Sequence, residues 1–142
     1  MRVSQMMSVN LVTCSADETV GDACRRMTAA GVGSVLVTRD HALVGMLTER
    51  DVLKMVADGA NPESDRVSVR MSRDVIGVPP DADVLEVAEL MNAKRIRHLP
   101  VIEGGTPVGI VSLRDFFVMS GSVLRAQGAD AAGELLRAAT VH

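Results

Sequence analysis

The chain has 142 residues, 47% of them apolar and 23% charged, which are ordinary values for a globular protein and argue against low complexity or disorder. A formal charge of −3 gives no long-range attraction for nucleic acid or an anionic membrane surface. No uninterrupted apolar run approaches the ~18 residues of a membrane-spanning helix, so no membrane partner is expected.

Residues 1–14 are broken by Ser4, Gln5, Ser8 and Asn10 and lack the apolar core of a secretory signal, so the expected location is cytoplasmic. A short strand is expected at 12–14. Val20, Ala23, Cys24 and Met27 recur at i, i+3, i+4 and i+7, which predicts an amphipathic helix ended by Gly31. Residues 34–38 and 43–47, separated by Arg39-Asp40-His41-Ala42, read as a hairpin. A second helix starts near Thr48 and carries Val52, Leu53 and Val56. The polar stretch 59–64, with Gly59 and Pro62, is placed as a junction.

The same order then recurs. Shifted by 64 positions (71 − 7), Met7-Ser8 meets Met71-Ser72 and the block 44–55 meets 108–119 without a gap. The second copy has a strand near 75–78, a helix on Val84, Val87, Ala88 and Met91, a hairpin of 98–102 and 107–111, and a helix from Ser112 through Phe116, Phe117 and Met119. The chain is therefore a tandem repeat of α-β-β-α modules, an α/β (α+β) fold, with modules at 1–60 and 61–121 and a tail at 122–142. Modules of this size are marginal alone, so shared apolar surface is expected. The tail reads as an extra helix interrupted by Gly128 and Gly133, whose Leu124, Leu135 and Leu136 pack on the body or on a second subunit.

Several residues carry no chemistry in this reading. Cys14 and Cys24 form no Cys-x-x-Cys pair and stand where the other repeat has Val78 and Ala88, so they read as small buried thiols rather than metal ligands or a disulfide. His41 lies in a turn and His142 is the last residue. Met27, Met46, Met55, Met91 and Met119 read as core filler. With no nucleophile beside a base, no metal-ligand spacing and no Walker-type loop, the expectation is binding without catalysis.

The chemically suggestive segment is Gly45-Met46-Leu47-Thr48-Glu49-Arg50-Asp51, answered by Gly109-Ile110-Val111-Ser112-Leu113-Arg114-Asp115. A hydroxyl followed three positions later by an acid is a capping box. The same residues suit a nucleotide: a strand glycine admits close approach to the backbone, helix-start amides hold an anion, and a carboxylate accepts two hydrogen bonds from a ribose diol.

These two signatures, with Met71-Ser72, Asp81-Ala82-Asp83-Val84 and Arg97-His98-Leu99-Pro100-Val101, resemble the cystathionine-β-synthase (CBS) domain family over residues 3–121. The resemblance implies two modules packed through their sheets with pseudo-twofold symmetry, and two clefts that take adenosyl ligands: AMP, ADP, ATP, NAD or S-adenosylmethionine. By resemblance, Asp51 and Asp115 hold the riboses and Thr48 and Ser112 contact ribose or phosphate. The purine lies beside Val12, Thr13 and Cys14, or beside Val75, Ile76, Val78 and Pro100. Arg97 and His98, where the other repeat has Gly33-Ser34, serve the phosphate of the nucleotide whose ribose sits on Asp51. Arg50 and Arg114 reach phosphates or an interface.

What the resemblance implies for function is a stand-alone regulatory protein of the energy-sensing kind, signalling through shape, assembly or a protein partner in trans. It also implies a homodimer, here expected through the helices of Val20, Met27, Met55, Phe116 and Met119. Two alternatives stand beside it. One is a ligand-free structural or dimerisation module whose aspartates are only caps. The other is a nucleic-acid-associated regulator using Arg25-Arg26 with Lys94-Arg95-Arg97, disfavoured by the net charge and by an aromatic set limited to Phe116 and Phe117.

Overall fold

A computed structural model describes residues 1–127 and 129–140; the expectations placed on His142 and on the side chain of Leu124 fall outside the described residues. The chain divides into two compact units. The first unit is Asn10–Val75. The second joins Met1–Val9 to the described residues from Ile76 onward.

In the first unit the order is β1 (Thr13–Cys14), α1 (Val20–Ala30), β2 (Ser34–Arg39), β3 (Ala42–Thr48), α2 (Glu49–Ala57) and a four-residue α3 (Val67–Arg70). Helix α1 starts in a capping box: the Thr19 hydroxyl accepts from the Asp22 amide at 3.1 Å while the Asp22 carboxylate accepts from the Thr19 amide at 3.2 Å. Gly31 ends it in the left-handed region at φ 67°. Strand β1 runs parallel to β2, and β2 is antiparallel to β3. The hairpin closes on Asp40 and His41, both at positive φ, the two-residue loop that matches strand twist. Val20, Ala23, Val35, Val37, Leu47 and Met55 fill the core.

The second unit repeats this with α4 (Val84–Lys94), β4 (His98–Glu103), β5 (Thr106–Ser112), α5 (Leu113–Gln127) and α6 (Ala129–Thr140). Asp83 caps α4, accepting from the Leu85 and Glu86 amides. The loop glycines Gly104 and Gly105 replace Asp40 and His41 at positive φ. The strand expected near 75–78 shrinks to a parallel bridge between Val78 and Val101. Ser120 and Gly121 do not end the second helix: α5 runs on to Gln127, with the Ser120 hydroxyl donating to the Phe116 carbonyl at 2.6 Å. Helix α6 carries Gly133 inside it and packs against α4 and α5, placing Leu135 and Ala139 in the core with Val87, Met91 and Phe116.

The compact units exchange segments between the modules expected at 1–60 and 61–121: one unit takes its closing segment from later in the chain and the other from earlier. Residues 66–75 fold onto the first unit, and 1–9 fold onto the second. The backbone bonds match at the 64-residue shift. Val67 donates to Glu18 and Ser68 to Ala16 at 2.8 and 3.0 Å; Val3 donates to Ala82 and Ser4 to Pro80 at 2.8 and 3.0 Å. Val67 and Val3 are both fully buried. The stretch 59–64, expected as a junction, is instead fastened to α1: Gly21 donates to Pro62 at 2.9 Å, and Arg25 pairs with Glu63 at 2.7 Å.

Candidate functional site

Each unit carries the same construction at the end of its hairpin. In the first, Thr48 is the N-cap of α2, and the Asp51 carboxylate Oδ2 accepts from the Thr48 amide at 2.9 Å and from its hydroxyl at 3.1 Å. In the second, Oδ2 of Asp115 accepts from the Ser112 amide at 2.7 Å. Both acids therefore fold back onto their caps, as the capping reading requires. An ionised carboxylate has about four lone-pair positions on two oxygens, so this geometry engages part of its accepting capacity.

The first strand of each hairpin completes the same end. Ser34 sits opposite Thr48 and His98 opposite Ser112. The Gly33 carbonyl accepts from the first amide of α2 at 3.0 Å, and the Arg97 carbonyl from the first amide of α5 at 2.9 Å. In the second unit Arg97, His98, Ser112 and Asp115 are thus brought to one sheet end, with Arg97 exposed and His98 half-buried. Arg50 and Arg114 are exposed at their helix starts.

The strand glycines have a packing role that accounts for them without a ligand. A Cβ on Gly45 would lie 2.5 Å from the Met71 sulfur and 2.9 Å from the Ser72 carbonyl oxygen. Gly109 meets the Met7 sulfur in the same way. The Met-Ser pair of each closing segment lies on the strand, and Ser72 exchanges backbone bonds with Met46 at 2.9 and 3.0 Å, as Ser8 does with Ile110 at 2.9 Å. Close approach at the signature glycine is therefore made by the protein itself.

The backbone expected to read a purine is partly committed to the sheets. The Val12 carbonyl accepts from Leu36, the Thr13 carbonyl accepts from the Arg26 guanidinium at 2.7 Å, and Val78 bonds both Pro100 and Ile102. Val12, Val75, Ile76 and Val78 are half-buried, Thr13 is exposed, and Cys14 and Pro100 are buried. Burial, aided by the Glu18 charge and opposed by Arg26, pushes the Cys14 thiol up to about 11, and burial also raises Cys24. Neither thiol is poised as a nucleophile.

Arg25 and Arg26, two residues of the basic surface considered above, are each paired with acids. Arg25 donates to Asp22 at 2.8 Å as well as to Glu63, and these bonds hold both carboxyls below the usual range while raising the guanidinium. Arg26 pairs with Glu18. The Glu18–Arg26 pair, which ties the loop after β1 to α1, escaped the sequence reading because a spacing of eight between a loop and a helix has no periodic signal. Among the described residues, no helix is long and apolar enough to cross a membrane.

This duplicated hairpin and capped helix is also what comparison with known proteins finds. The CBS domain model matches residues 3–58 and again 66–119. The chain belongs to the CBS domain family. Its relatives include the "CBS domain-containing protein CBSX3, mitochondrial" of Arabidopsis thaliana, 39% identical over 108 residues that make up 72% of this chain and 52% of that one. The chain spans only 20% of each of two longer relatives from the same plant. Among solved structures, the CBS-domain containing protein ATU1752 from Agrobacterium tumefaciens is similar with TM-score 0.76 and 33% identity, over 81% of this chain and 95% of that one. The CBS domain pair of protein MJ0100, in complex with 5-methylthioadenosine and S-adenosyl-L-methionine, shares the fold at TM-score 0.80 and 23% identity, over 86% and 97%.

Proposed function

We propose that this CBS pair is a regulatory protein that binds adenosyl ligands, with AMP, ADP or ATP as the leading class, at the two sites headed by Asp51 and Asp115, and that it performs no chemistry of its own. The observation that carries this reading is the duplicated hydroxyl and carboxylate at a helix start, in which the cap engages Oδ2 and the carboxylate retains accepting capacity for a ribose diol. The adenosyl compounds named for the MJ0100 pair support the ligand class. Thr48 and Ser112 contact sugar or phosphate, Arg97 and His98 supply the phosphate end, and the residues at 12–14, 75–78 and Pro100 flank the base. Occupancy signals by favouring one conformation or assembly state over another, with a homodimer as the working assembly.

The test is a panel of AMP, ADP, ATP, NAD and S-adenosylmethionine, followed by thermal shift and calorimetry on wild type, Asp51→Ala and Asp115→Ala. Each substitution also weakens a helix cap, so the decisive quantity is the ligand-induced shift, not the starting melting temperature. A ligand at a hundred times its Kd adds about 2.7 kcal/mol, enough for several degrees in a chain of this size. Loss of the shift in the aspartate variants supports the reading. A full panel without any shift in wild type leaves the aspartates as caps. Combining Arg97→Ala with each aspartate variant identifies which ribose shares its nucleotide with Arg97, since only that pair should be non-additive.

A further inference from the structure

In both units a methionine of the closing segment lies on the strand glycine, but the two methionines differ in access. A Cβ on Gly109 would lie 2.8 Å from the Met7 Cγ and 3.2 Å from the Met7 Cβ, so this side chain is laid along the β5 backbone. Met71 covers Gly45 in the same way, with its Cγ at 3.1 Å. Met71 is 8% exposed, whereas Met7 is half-buried at the margin of the second core. The two segments are also tethered differently. Residues 66–75 continue directly from the rest of the first unit, while residues 1–9 are joined to theirs only through the whole of 10–75. They hold to it through the bonds of Val3 to Ala82 and Ser4 to Pro80, through Val84 to Met1 at 3.0 Å, and through the Ser8–Ile110 exchange.

We propose that Met7 is a reversible oxidation site: hydrogen peroxide converts its thioether to the sulfoxide, and the sulfoxide releases residues 1–9 from β5 while the first unit keeps its own closing segment. In this step a sulfur lone pair takes one oxygen of the peroxide, the O–O bond breaks, and the other oxygen leaves as water. The sulfur is oxidised by two electrons and the peroxide reduced by two. The product turns an apolar side chain into a polar one. Its oxygen is an acceptor set between the Gly109 backbone and an apolar cluster, where leaving it without a partner is costly, so hydration requires the side chain to lift away. Lifting Met7 draws the adjacent Ser8 off Ile110. Because β5 runs from Gly109 into Ser112, the freed edge belongs to the strand that carries the Ser112–Asp115 cap. Burial keeps the thiols of Cys14 and Cys24 protonated, which makes them slow towards peroxide and leaves the methionine as the target.

The experiment treats the full chain with hydrogen peroxide, wild type beside Met7→Leu and Met6→Leu, and reads oxygen uptake by fragmentation mass spectrometry and backbone opening by hydrogen exchange. Leucine keeps the volume of methionine and has no sulfur to oxidise, so both variants retain the fold, which circular dichroism verifies. Met1, Met6 and Met119 are open enough to oxidise as well, and Met7→Leu separates their effect. In wild type and Met6→Leu, Met7 should gain its oxygen before Met71. The amides of Ile110 and Val84, which donate to Ser8 and Met1, should then exchange about tenfold faster or more, while those of Met46 and Val67 keep their rates. Methionine sulfoxide reductase with a dithiol should restore the original exchange. Peroxide-treated Met7→Leu should exchange like the untreated chain. Met71 oxidised as early as Met7, a Met7 sulfoxide with unchanged exchange at Ile110, or the same loss of protection in Met7→Leu each overturns the proposal.

Discussion

A methyl group placed on Gly45 meets two neighbours of different stiffness. The Met71 sulfur is the end of a flexible side chain, but the Ser72 carbonyl is held by the Met46 amide at 3.0 Å. Moving it means moving the closing segment, so Gly45→Ala should destabilise the first unit by about 1–3 kcal/mol, the usual cost of overpacking. Urea unfolding measures this. Met71→Ala in the same chain removes the sulfur contact but leaves the carbonyl, so the two substitutions should be non-additive and the rescue partial. The sequence showed the glycine and the Met-Ser echo as separate features. That they touch is a tertiary fact, and the glycine's first reading as an opening for a ligand gives way to this contact.

At the level of elements, α6 is a helix that the repeat does not supply. It covers α4 and α5, and Leu135 enters the core at 5% exposure. Leu135→Ala should cost about 2–5 kcal/mol in the second unit, as for other leucines removed from a core, and chemical denaturation will read it. Helices α1 and α4 and both hairpins were legible in the sequence because Val20 to Met27 and Val84 to Met91 keep a helical period and the paired strands flank turn residues. The structure lengthens β2 and β4 by one residue at the C-terminal end and β3 and β5 by one residue at both ends. Val67–Arg70 and Val3–Gln5 are too short for any period to register, so of the closing segments only the Met-Ser echo was visible and not their docking. The Thr48–Asp51 and Ser112–Asp115 pairs were legible through spacing, and both are caps as that spacing demands.

For the whole molecule, the decisive fact is how the chain is shared out. Residues 10–75 form a contiguous unit, while the other unit needs the first nine residues as well as those from 76 onward. Val3, fully buried among Val84, Val87 and Leu99, shows how much depends on them. Deleting residues 1–9, or changing Val3 to Ala, should therefore weaken the distant second unit and spare the first. Hydrogen exchange resolves the two: protection should fall at Val87, Met91 and Val111 and persist at Val35, Val37 and Leu47.

Synthesis on the ribosome gives the arrangement a temporal meaning. Residues 1–9 are translated before their docking surface, and the whole of the contiguous unit 10–75 passes between them. They wait for the rest of their own unit, and anything that delays their docking would hold back maturation of the half encoded further downstream.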